Sequence, residues 1–65
     1  MNNQLKDLLL TYLGELMNNE EQEPDMFKKD FILQRIEAIH ILLDLPFDRK
    51  YYINRLIECV KNIQP

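Results

Sequence analysis

The chain has no serine and no tryptophan, and only one each of glycine (Gly14), valine (Val60), threonine (Thr11), alanine (Ala38), cysteine (Cys59) and histidine (His40). Each scarcity removes a class of structure or chemistry. A small β-domain needs β-branched variety and tight turns rich in Gly, Asn or Asp, which one Val, one Thr and one Gly do not supply. A single cysteine excludes a disulfide within the chain, and a lone thiol suits a reducing compartment or a buried apolar site. With no serine and so few other nucleophiles and bases, the chain lacks the parts of a catalytic set, and an enzyme is not expected. No stretch approaches the ~20 apolar residues of a membrane span. The apolar run from Leu8 to Gly14 is too short and wrongly flanked for a signal peptide. The expected location is the cytoplasm.

What is abundant is leucine and isoleucine, eleven and seven residues respectively, among Glu, Lys, Gln and Arg. Straight and γ-branched side chains lose little rotamer freedom in a helix. The expected class is therefore all-α, one small domain over residues 1–65, a compact bundle of three helices at about 3–18, 25–44 and 49–63.

In the first helix Leu5, Leu8, Leu9, Tyr12, Leu13 and Leu16 recur at three- and four-residue spacing and share one face. Gly14 lies near the opposite side, and Asn18 and Asn19 tolerate the left-handed conformation of a helix end. The segment Glu20–Asp25 has no apolar residue and reads as a linker, with Pro24 suited to the first turn of the next helix. On that second helix Ile32, Ile36, Ile39 and Leu43 centre the apolar face, Phe31, Ala38 and Leu42 form one flank, and Leu33 and His40 the other. Ile41 falls on the far side. Leu45–Asp48 punctuates again: Asp48 is a natural N-cap, and Phe47 and Tyr52 have the spacing of a hydrophobic staple. The third helix places Tyr52, Ile53, Leu56, Ile57, Cys59, Val60 and Ile63 inward and Tyr51, Arg55, Glu58 and Asn62 outward.

A 65-residue chain buries only ~60% of the surface it exposes when unfolded, and many small domains lean on a metal, a disulfide or a second subunit. Here 46% of the residues are hydrophobic, and the second helix is apolar round most of its circumference. Such helices are buried by something. Self-association, most simply as a two-fold homodimer, is expected.

Formal charge is −4 over residues 1–23 (Lys6 against five acids), −1 over 24–45 and +2 over 46–65, which adds to −3. An acidic total is unfavourable for a dedicated nucleic-acid binder. The basic end keeps open the alternative of a small DNA-binding regulator that uses Arg49, Lys50, Arg55 and Lys61 of the third helix. A structural subunit of a larger assembly is a further alternative. Three groups of residues have the makings of a chemical site, and each has a plainer reading. Cys59 and His40 offer a thiolate–imidazole pair, but a thiol on an apolar face is usually inert. Glu37 and His40, with Asp44 a turn beyond, have the Glu-x-x-His spacing of dimetal bundles, but lack facing carboxylates, so neither metal nor other cofactor is expected. The acidic run Glu20, Glu21, Glu23 and Asp25 has the charge to imitate nucleic-acid phosphates in a partner's basic cleft, but a charge run in a Pro-containing linker reads as a solvated loop. What remains is surface complementarity: a small acidic interaction module that docks a helical face on another protein. The outer ridge of the third helix is the expected contact, with Tyr51 and Arg55 as anchors and Glu58 and Asn62 around them.

Overall fold

A computed structural model describes residues 2–63, with side chains through Lys61. It is an all-α bundle of three helices, α1 (Asn3–Gln22), α2 (Met26–Leu42) and α3 (Arg49–Ile63). Each begins on an Asn or Asp that satisfies an otherwise unpaired amide of the first turn. The Asn2 side chain accepts from the Gln4 N–H at 2.7 Å, Asp25 from Lys28 at 3.0 Å and Asp48 from Lys50 at 2.9 Å. The Phe47 and Tyr52 rings meet edge-on at 6.4 Å, so the staple foreseen from their spacing forms. α2 ends in a Schellman turn: the Leu45 N–H donates to His40 O at 2.8 Å and the Asp44 N–H to Ile41 O at 3.1 Å. Asp44 there takes φ 56°, the left-handed region.

Two boundaries differ from the sequence reading: α2 stops at Leu42 rather than at 44, in the turn just described, and α1 runs further than expected. α1 passes through Asn18 and Asn19 and ends at Gln22, leaving only residues 23–25 as the connection. The cause is Glu20, which is 1% exposed and ion-paired rather than solvated. It continues the buried row of Leu13 and Leu16 at helical spacing, so unwinding the last turn would withdraw it from its partners.

α2 is central, and α1 and α3 both pack on it. The core is Leu13 and Leu16 of α1, Leu33, Ile36 and Ile39 of α2, and Tyr52 of α3, with Leu9, Ile32, Leu43, Phe47 and Leu56 packed against it. Several residues expected inside are exposed instead: Leu5, Leu8 and Tyr12 on α1, Phe31 and Leu42 on α2, and Ile53 and Ile57 on α3. Stagger accounts for Leu5 in the first turn of α1, while Leu8 and Tyr12 lie round the helix from Leu9, Leu13 and Leu16, which pack on the core. The bundle measures 48 × 19 × 13 Å, although even its longest helix spans only ~30 Å. Glu20 sits beside Lys29, and the Cys59 Sγ donates to the Pro24 carbonyl at 3.2 Å. α3 therefore projects past the start of α2, and the first turns of α1 project past its end. The α3 residues are exposed for a different reason, because that helix is rolled about its axis toward Arg55 and Tyr52 by the polar contacts described below.

Gly14 marks neither a helix break nor a close approach. α1 is continuous there, and a Cβ at this position would meet nothing within 4 Å. Gly14→Ala should therefore stabilise the fold by ~1 kcal/mol, since only the entropic penalty of a helical glycine is removed. A rise of several degrees in the thermal midpoint, followed by circular dichroism, is the expected result. A fall would mean that α1 bends or packs at this residue.

Candidate functional site

The most buried charged group in the molecule organises the outer face of α3. Glu20 Oε1 accepts from Lys29 Nζ at 3.1 Å and from Arg55 Nε at 2.8 Å. Lys29 Nζ also donates to the Glu20 carbonyl, and Lys29 itself is only 5% exposed. One carboxylate thus ties all three helices together. The hydrogen bond to Glu20 raises the Arg55 guanidinium above its ordinary pKa, against the opposing effect of burial. Arg55 is further held by Glu58 at 3.6 Å, and its guanidinium lies 6.0 Å from the centre of the Tyr51 ring.

These contacts revise part of the expected ridge. Tyr51 and Glu58 are exposed, as their wheel positions suggest. Arg55 is not: its side chain is 25% exposed and committed to Glu20, so it serves the fold first and borders the surface second. The Asn62 side chain lies outside the described residues. The acidic run is likewise no free loop, because Glu23 accepts from the Asp25 N–H at 3.2 Å and Asp25 caps α2.

Two clefts open along this ridge. One, of about 360 Å³, is walled by Met17, Ile36, His40, Pro46, Phe47 and Tyr51, with the Asp48 cap. The other, of about 310 Å³, is polar and lined by Glu21, Glu23, Lys29, Arg55, Glu58 and Cys59 among others. Lys29 and Arg55 stand against Glu20, Glu21, Glu23 and Glu58, so two negative charges are left over and the second cleft is acidic. Tyr51 borders the apolar cleft, and Arg55 with Glu58 border the acidic one.

The constellations read for chemistry are taken apart by the fold. His40 Nδ1 lies 2.7 Å from the Ile36 carbonyl, and the ring tilts against Phe47 at 5.1 Å. Cys59 is buried beside Pro24, at the other end of α2. Glu37 pairs with Arg49 at 2.7 Å. Among the described residues no group of three or more His, Cys, Asp or Glu is placed to hold a metal ion, and no helix is long and apolar enough to cross a membrane. No protein-family model matches this chain, and no curated protein or solved structure is similar to it.

Tyr52 anchors the other side of α3. Its phenol donates to the Asp30 carboxylate, and burial together with that bond pushes its pKa up to about 12.

Two measurements follow from these contacts. Glu20→Ala strands the buried Lys29 and should cost ~3–5 kcal/mol, much of the stability of so small a domain. The triple replacement of Glu20, Lys29 and Arg55 by Met should recover helicity and cooperative melting, because no unpaired charge is left inside. If Glu20→Ala melts like the parent, the cluster is dispensable. For Tyr52, the unfolded phenol loses its proton near its ordinary value of 10.0 and the folded one near about 12. Its contribution is therefore complete below pH ~10 and lost as pH rises toward ~12. Denaturant titrations across that window should show a steeper loss for the parent than for Tyr52→Phe. Equal slopes would contradict the buried phenol.

Proposed function

We propose that this chain is a small protein-interaction module of the cytoplasm, a regulator, inhibitor or adaptor that works by docking rather than by chemistry. The observation that carries this reading is the Tyr51 ridge with a cleft on either side. The apolar cleft beside Phe47 has the size to take one or two side chains of a partner. Tyr51 is a rigid amphipathic ring on its wall, a residue type that dominates binding energy at interfaces. Arg55, immobilised by Glu20 and Glu58, holds the neighbourhood of Tyr51 in a preformed shape, so little ordering entropy is lost on binding. The acidic cleft favours a partner segment that carries a basic residue about one helical turn from its apolar anchor.

The DNA-binding alternative is weaker on the same geometry. Of the four cations on α3, Arg49 is paired with Glu37 and Arg55 with Glu20. Lys50 and Lys61 remain, too few for the phosphate neutralisation that drives such binding.

Tyr51→Ala with Met17→Glu alters exposed positions and should leave the melting curve nearly unchanged. The same pair should weaken capture of the partner from host lysate by ~2 kcal/mol or more. Arg55→Ala is not an equivalent probe, since it removes a partner of the buried Glu20. Capture of duplex DNA in place of protein, or protein capture that survives the double substitution, would remove the docking reading.

A further inference from the structure

We propose that the outward face of α2 is the seam along which two copies of this chain pair, side by side and in parallel. Leu33, Ile36 and Ile39 turn α2 inward, yet its opposite side is also apolar. Phe27 is 71% exposed, Phe31 62%, Ile41 70% and Leu42 58%. Phe27, Phe31, Gln34, Ala38 and Ile41 follow one another at spacings of four, three, four and three, the alternation of a two-stranded coiled-coil seam. Fully buried, an aromatic side chain covers ~150–250 Å², so these exposed groups offer on the order of 500 Å² of apolar surface per copy. That lies toward the upper end of the ~300–600 Å² of the largest patch on an ordinary monomer. With its polar flanks it approaches the ~800 Å² per partner of a stable interface.

The flanks choose the occupant and its direction. Lys28 and Arg35 lie along one side of the seam, and Asp30 and Glu37 along the other. A parallel two-fold brings the basic flank of each copy onto the acidic flank of its mate, with Arg35 five residues beyond Asp30, the spacing at which such flanks meet across a parallel coiled coil. An antiparallel pair would set Arg35 against Arg35 and Glu37 against Glu37. Asp30 already accepts from Tyr52 and from Gln34 at 3.1 Å, but a carboxylate has capacity for a further donor.

The outer helices obey the same rule. α3 reaches α2 through Glu37 and Asp30 and so lies on the acidic flank. It carries Arg49, Lys50, Arg55 and Lys61 against Glu58, net +3, whereas α1 carries Lys6 against Asp7, Glu15, Glu20 and Glu21, net −3. The parallel pair sets α1 of one copy beside α3 of the other. Gln34, the single polar residue in the seam, would meet its own copy and hold the register. The seam is separate from the Tyr51 ridge and does not depend on that ridge being a docking site.

Light scattering on the full chain at tens of micromolar should give twice the 7.9 kDa chain mass. Phe31→Glu with Ile41→Glu should leave helicity intact while raising the dimer dissociation constant by roughly a hundredfold or more, and its melting should no longer depend on protein concentration as the parent's does. Arg35→Glu should weaken the parallel pair by about tenfold or more and would leave an antiparallel one unchanged. Phe27→Cys should crosslink to itself under mild oxidation only if the two copies run in parallel. A monomeric parent, or a dimer that survives the double Glu substitution, overturns the seam. A dimer insensitive to Arg35→Glu and not crosslinked through position 27 overturns its parallel sense.

Discussion

The buried carboxylate of Glu20 is the constraint on which the rest of the arrangement depends. It has two cationic partners, one nine residues and the other thirty-five residues along the chain. Lys29 sets how far α1 slides along α2, and Arg55 sets how α3 rolls on the pair. A buried ion cluster contributes little net stability over apolar residues of similar volume, but separating its members leaves an uncompensated charge inside. Competing arrangements of three amphipathic helices are abundant in so leucine-rich a chain, and nearly all of them would strand Glu20 or Lys29. Among the described residues no buried side-chain nitrogen or oxygen lacks a hydrogen-bond partner, so the polar interior is complete in the arrangement observed.

The roll of α3 explains why surface and core are distributed as they are. Drawing Arg55 and Tyr52 inward turns Ile53 and Ile57 outward, and the same rotation places Tyr51 between the two clefts. Arg55 stacks beside Tyr51 because Glu20 holds its guanidinium from behind. A buried ion cluster thus shapes an exposed ridge, linking the interior of the bundle to the surface read as its docking face.

Local chemistry was legible in the sequence, and long-range chemistry was not. Asp48 as a cap, Phe47 against Tyr52 and the number of helices all depend on residues within a turn of one another. Asn18 and Asn19 resemble a helix end and the residues after them are charged, so Glu20 looks like part of a loop in the sequence alone. Only its partners on α2 and α3 contradict that, although its spacing of four from Leu16 was a signal available from the start. Arg55 failed in the same way: a cation on a polar face is ordinarily solvated, and its burial depends on a carboxylate in another helix. Leu5 belongs to a genuine apolar stripe, and periodicity alone does not report where the neighbouring helix stops. The exposure of Tyr51 and Glu58 was legible from their wheel positions, while the clefts beside them needed the packed helices.

The stagger of the helices also has a consequence for how the molecule opens. Around Leu33, which is fully buried, backbone amides are released to solvent only when the whole domain unfolds. The first turns of α1 extend beyond the end of α2, so they can unwind without disturbing the Glu20 cluster. Hydrogen exchange along α1 should therefore be graded, fast from Leu5 to Leu10 and slowing toward Leu16, with protection rising as the helix enters the shelter of its neighbour. The bundle is in effect two structures of unequal permanence, a clamped centre and a fraying end, within one continuous helix.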